Sequence, residues 1–153
     1  MTVMNREIRF RRYLWVSVIL AVVALVACGG SAGSDSQFPV DVTDQRVAVG
    51  EQVYSSNCAT CHGEIQGPVA LPGVPSHGED GHTWHHADRH LFGWILDGPP
   101  LAQMMPPFRG KLSDDEVIAV LAYIKSGWAD DIRDRQNQMS QLVEQQIIED
   151  GGG

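Results

Sequence analysis

The first long apolar stretch of this chain runs from Tyr13 to Ala27, broken only by Ser17 and preceded by Arg6, Arg9, Arg11 and Arg12. A basic stretch leading into an apolar run of this length has the pattern of an export signal, and the run is short for a membrane span, which needs about 20 apolar residues. Gly, Ser and Asp then dominate residues 29 to 43, which predicts a flexible tether. Periodic patterning starts at about Asp44. Val47, Val49, Val53 and Tyr54 predict a short helix from Asp44 to Asn57. Residues 63 to 86 are rich in Gly, Pro and His and predict loop. Leu91, Phe92, Ile95 and Leu96 give a second helix an apolar face, with Asp88 placed to cap it and Gly98 to stop it. After a proline-rich loop, Ser113 and Glu116 form a capping box ahead of Val117, Ile118, Val120, Leu121 and Ile124, a third helix ending near Gly127. Beyond Trp128, the spacing of Ile132, Met139, Leu142, Val143 and Ile147 permits another helix, while the many Gln, Asp and Glu fit a solvated tail equally well. The expected organisation is a signal over 1–27, a tether over 28–46, one folded domain over 47–128 and a C-terminal extension over 129–153.

The apolar run ends in Leu25-Val26-Ala27-Cys28, which resembles the lipobox of bacterial lipoproteins. In that reading Cys28 is acylated and becomes the first residue after cleavage. The plainer alternative is an uncleaved anchor in which Cys28 is an ordinary small residue. Either way, the rest of the chain is expected outside the cytoplasm, in a periplasm or on the outer face of the cell membrane. Loss of residues 1–27 removes four arginines and one glutamate from a chain of net charge −8 and leaves −11. Nucleic acid and anionic lipid surfaces are poor partners for so acidic a protein, since both need lysine and arginine to neutralise them.

Two cysteines remain, and the residue after them matters. Cys58-Ala59-Thr60-Cys61-His62 is the C-x-x-C-H pattern of covalent haem attachment. Two thiols at that spacing can reach the two vinyl groups of one porphyrin, and the following imidazole then lies against the metal as its proximal ligand. The sequence Met104-Met105-Pro106-Pro107-Phe108 supplies a sixth ligand in the loop between the second and third helices. Met105 is preferred to Met104, because Pro106 restricts the residue before it and removes a backbone donor. A thioether opposite an imidazole raises the potential, as expected of an electron carrier.

With these residues in place the chain resembles the class I cytochrome c family. Gly50 and Tyr54 ahead of the haem motif, the Met105-Pro106-Pro107-Phe108 loop, and Leu112-Ser113-Asp114-Asp115-Glu116 followed by Leu121-Ala122-Tyr123-Ile124 match it in order, over about Val47 to Trp128. The resemblance implies an all-α fold of three to four helices around one covalent haem c, with Gly50 packed on the Ala122 and Tyr123 region. It also implies that a proline carbonyl receives the proximal histidine's hydrogen bond. Pro68 fits that place, with Pro72 and Pro75 close by. The expected function is one-electron transfer between redox proteins or membrane respiratory complexes, with no small-molecule substrate. The alternative is a haem-bearing relay subunit of a larger membrane oxidoreductase.

Four histidines, His82, His85, His86 and His90, fall within nine residues and invite other chemistry. A copper site made of them, a bis-histidine haem using one of them, and a Cys2His2 zinc site are all conceivable. The zinc spacing is wrong, and zinc leaves His62 and the methionine loop without purpose. A solvent-facing loop beside the haem edge, with Trp84 or a histidine bonded to a haem propionate, is the preferred reading of the cluster. A redox-active Cys58/Cys61 dithiol lacks the βαβ patterning that usually surrounds one. A gas-binding sensor would need a weak or missing sixth ligand.

Overall fold

The computed structural model describes residues 37–101 and 104–151, all within one compact unit spanning Ser36–Gly153. The readings that concern the export signal, Cys28 and most of the tether lie outside the described residues. Among the described residues the fold is all-α, as expected, and contains no strand. No helix among them is long and apolar enough to cross a membrane.

Helix α1 (Asp44–Asn57) has the bounds the sequence predicts, and starts where the Thr43 hydroxyl accepts from the Arg46 amide. Gly50 and Tyr54 are its fully buried residues; Val53 packs half-buried against the core, and Val49 is 43% exposed. A single turn, α2 (Ala59–His62), follows after Cys58 and is stopped by Gly63 at φ 72°. The loop that comes next holds one 3₁₀ turn, Thr83–His85.

Helix α3 (Asp88–Asp97) stops at Gly98, at φ 89°. Asp88 does not cap it. Ala87 is the cap residue and makes no side-chain bond, whereas Asp88 is wholly buried and its carboxylate is spent on other segments. Helix α4 (Asp114–Ser126) opens with the predicted Ser113/Glu116 capping box. Val117, Ile118, Val120, Leu121 and Ile124 are all buried, and so are Ala119, Ala122 and Lys125, which makes α4 the central helix of the fold. Full burial of each large aliphatic side chain there contributes about 1.5–3 kcal/mol.

Helices α1 and α4 cross at Gly50. A Cβ at that position would lie 2.0 Å from the Ala119 carbonyl oxygen and 2.8 Å from the Tyr123 Cβ. The contact therefore falls on Tyr123, as expected, and on Ala119, one turn before Ala122, in place of Ala122.

Helix α5 (Asp130–Glu149) settles the choice between a helix and a solvated tail. Its buried residues are Gln136, Ser140 and Glu144, a polar stripe at successive turns. Each meets a polar partner. Gln136 Nε2 donates to the Asp88 carboxylate (2.7 Å) and to the His86 carbonyl (3.0 Å). The Asp88 amide donates to the Ser140 hydroxyl at 3.0 Å, and Arg89 forks onto Glu144 at 2.6 and 2.5 Å. Lys125 reaches Asp88 at 2.6 Å and Asn137 at 2.7 Å. The packed unit also begins earlier than position 47. Phe38 and Val40 are buried, and the Val40 amide donates to Asp88 at 2.7 Å.

Candidate haem site

The C-x-x-C-H residues lie at the junction of α1 and α2. The Cys58 carbonyl accepts from the amides of Cys61 (3.1 Å) and His62 (3.0 Å), so both thiols and the imidazole spring from one tight turn. Neither thiol is in a disulfide. Burial, and then the nearby Cys61, push the Cys58 thiol up to about 11. The all-α fold of the described residues lacks the βαβ frame that usually surrounds a redox-active dithiol.

His62 is 8% exposed. Its Nδ1 lies 2.9 Å from the Pro75 carbonyl oxygen. A carbonyl can only accept, so Nδ1 carries the proton and Nε2, which has no hydrogen bond among the described residues, keeps its lone pair. The partner is Pro75 and not Pro68. The Pro68 carbonyl instead lies over Gly63, 2.2 Å from where a Cβ of that glycine would be. The left-handed turn at Gly63 brings Gly67-Pro68 against the motif's own backbone, and the bond from the Leu71 amide to the Cys61 carbonyl (3.0 Å) holds the loop there. Pro72, Gly73 and Val74 then carry the chain round until Pro75 reaches the ring.

Tyr54 supports the same turn from α1, donating its hydroxyl to the Gly63 carbonyl at 3.0 Å. Burial holds its phenol protonated well beyond the usual range. The methionine loop is tied to the end of α3, with Phe108 N bonded to Ile95 O (3.1 Å) and Arg109 N to Leu96 O (2.9 Å). Met105 packs against the hydrophobic core, and Met104 is 72% exposed.

The histidine cluster does not converge on a point. His82 stacks on His85 at 4.5 Å, His85 stacks on Trp84 at 3.7 Å, and His86 meets Trp94 edge-on at 4.7 Å. Rings stacked face to face cannot aim their nitrogens at one ion. No group of three or more metal-ligating side chains is placed to hold one among the described residues, which disfavours both the copper and the zinc readings. The Trp84 indole donates to the Glu79 carbonyl at 3.0 Å, so it is not a free donor for a propionate.

The donor set fits haem c: two free thiols on one turn, an imidazole with one nitrogen committed and the other available, and a thioether turned toward the core. The sequence profile of the family described as cytochrome c oxidase, cbb3-type, subunit III matches residues 45–124. The chain belongs to that family. It is a c-type cytochrome that binds haem c covalently and works by haem-based electron transfer. Cytochrome c6 of Leptolyngbya boryana is 30% identical over 91 residues, covering 53% of this chain and 96% of that protein. The 1-butanol dehydrogenase (cytochrome c) of Thauera butanivorans is 33% identical over 97 residues, and the quinohemoprotein alcohol dehydrogenase of Comamonas testosteroni 35% over 91. Those matches cover 63% and 58% of this chain, but the cytochrome spans only 13% and 12% of the two dehydrogenases.

Sequence reasoning missed Pro75, His77 and the Asp88 cluster. Pro72 and Pro75, close behind Pro68, were the signal that the accepting carbonyl could sit later in the loop. A lone His77 between Ser76 and Gly78 gave none.

Proposed function

We propose that the cytochrome is an extracytoplasmic one-electron carrier whose haem is attached through Cys58 and Cys61, with His62 and Met105 as axial ligands and Cys28 as a lipid anchor to the membrane. The observation that carries the reading is the state of His62, protonated at Nδ1 by its bond to Pro75 and uncommitted at Nε2, on the same turn as two free thiols. When bound, the haem supplies an iron that changes valence by one electron. The chain's own part is to hold the ligands fixed in both states. Pro75 sets the tautomer and basicity of His62, and the Gly63 turn, buttressed by Tyr54, keeps the motif from unwinding. Core contacts on Met105, set against the exposure of Met104, favour Met105 as the sulfur donor.

The acidic surface favours redox partners with basic patches, and encounter rates with them should fall as ionic strength rises. A relay role inside a larger membrane oxidoreductase is the second reading. It is favoured by the small share of each dehydrogenase relative that a chain of this kind occupies.

Reduced-minus-oxidised spectroscopy on matured protein, with carbon monoxide added to the reduced form, tests the assignment. A six-coordinate low-spin spectrum that carbon monoxide leaves unchanged is expected, whereas a high-spin spectrum that shifts with the gas contradicts an electron carrier. Cys28→Ala should release the protein from membranes, and retention on the membrane would remove the lipid anchor.

A further inference from the structure

His77 plays no part in the assignment above, yet its ring lies on that of His62, with centroids 4.2 Å apart and planes 22° from parallel. It is itself held on three sides. The Thr83 hydroxyl donates to the Ser76 carbonyl at 3.3 Å, so its oxygen is left to accept from His77 Nδ1–H at 2.8 Å. The Tyr54 ring meets His77 edge-on at 5.9 Å. The His77 carbonyl accepts from the Trp128 indole at 2.8 Å, which fixes its backbone to the end of α4.

The bond from His62 to Pro75 decides which nitrogen is available, but it leaves the plane of the ring soft. The terminal torsion of histidine has a broad minimum, and one hydrogen bond along the ring's edge restrains it weakly. A second flat ring against its face narrows that freedom. The plane of an axial imidazole decides how its π orbitals overlap the iron d orbitals, and outer contacts of a ligating histidine are known to set its orientation and donor strength.

We propose that His77 is a positioning residue: clamped by Thr83 and stacked on His62, it fixes the rotation of the axial imidazole and thereby tunes the reduction potential of the haem. The proposal rests on His62 being the iron ligand. Neither a tighter core nor a better-filled loop would need the Thr83–His77 bond to be aimed this way.

The test uses the full-length holoprotein matured in an exporting host, compared with His77→Ala, His77→Phe and Thr83→Val. Two quantities are read: the pattern of haem-methyl shifts in the paramagnetic proton NMR spectrum of the oxidised form, and the midpoint potential. His77→Ala should rearrange the methyl pattern and move the potential by an amount equal to about threefold or more in the one-electron equilibrium constant. Thr83→Val should act in the same direction and less strongly, because the ring remains but its clamp is gone. His77→Phe should keep the parent methyl pattern, since it preserves a flat ring against His62. If both His77→Ala and Thr83→Val keep the parent pattern and potential and only melt at lower temperature, His77 is structural and the proposal is overturned. Where His77→Ala does not accumulate, Thr83→Val decides alone. A parent protein that is itself colourless would overturn the His62 assignment, and is recognised before any substitution is made.

Discussion

Gly50 has no side chain because the Ala119 carbonyl takes its place. A methyl group there would be 2.0 Å from that oxygen, far inside van der Waals contact, and the obstacle is backbone that cannot rotate away. Gly50→Ala should therefore destabilise the holoprotein by about 2–3 kcal/mol or more in chemical denaturation, against the small gain a surface Gly→Ala in a helix usually gives. The two methionines offer a cleaner comparison, since one packs on the core and the other does not. Met105→Ala should abolish the weak sulfur-to-iron charge-transfer band of the oxidised protein and Met104→Ala should preserve it; the reverse result would exchange their roles. Cys58, Cys61 and His62 carry their chemistry in type and spacing, so they could be proposed from the chain alone. Pro75 could not, because its role depends on how a loop of twelve residues from Gly63 to Val74 closes, and a choice among Pro68, Pro72 and Pro75 is made only by the path of the backbone.

Among the helices, α4 was legible from its capping box and α1 from the spacing of Val47, Val49, Val53 and Tyr54, while the Thr43 cap that starts α1 came only with the structure. Thr43 and Ser113 satisfy amides of the first turn, and Glu116 returns the bond to the Ser113 amide at 2.8 Å. That bond holds the Glu116 carboxyl below its usual 4.5, with the Ser113 backbone N–H the largest cause. A carboxyl whose folded value is depressed contributes stability above its unfolded value and loses it as pH falls through the folded one. The melting temperature should accordingly drop on the acid side of pH 4.5. Glu116→Gln, which keeps an acceptor but cannot titrate, should flatten part of that drop, measured by circular dichroism across the acid range. Helix α5 was legible in part. Ile132, Met139, Val143 and Ile147 are half-buried and permitted a helix, but its buried stripe is Gln136, Ser140 and Glu144, which a search for apolar periodicity does not find. Only the partners on α3 and α4 give those polar positions a reason to be buried.

Across the whole molecule, one carboxylate gathers the fold. Asp88 accepts from Val40, Lys125 and Gln136 and so ties the N-terminal segment, α4 and α5 to the start of α3. Both Asp88 and Lys125 have wholly buried side chains. Burial lowers the Lys125 pKa and the Asp88 carboxylate opposes it. Removing one partner leaves the other charged and unpaired, and Lys125→Met should cost about 3–5 kcal/mol in urea titration. The Asp88→Leu/Lys125→Met double variant should not recover the parent stability, because the Val40 amide would lack its acceptor and Gln136 Nε2 would keep only the His86 carbonyl. Truncation after Ala129 should likewise destabilise the domain, because α5 supplies Gln136, Ser140 and Glu144 to its buried polar contacts.

The proposed attachment of the haem is through the sulfurs of Cys58 and Cys61. The most direct measurement is acid-acetone extraction of the purified, matured protein followed by the pyridine haemochrome spectrum of parent and Cys58→Ser. The account predicts that the pigment stays in the protein pellet, that the parent shows the α-band of a porphyrin with both vinyls saturated, and that Cys58→Ser shifts that band to the red as one thioether is lost. Pigment that passes into the acetone, or an α-band unmoved by the substitution, would contradict attachment at Cys58 and Cys61.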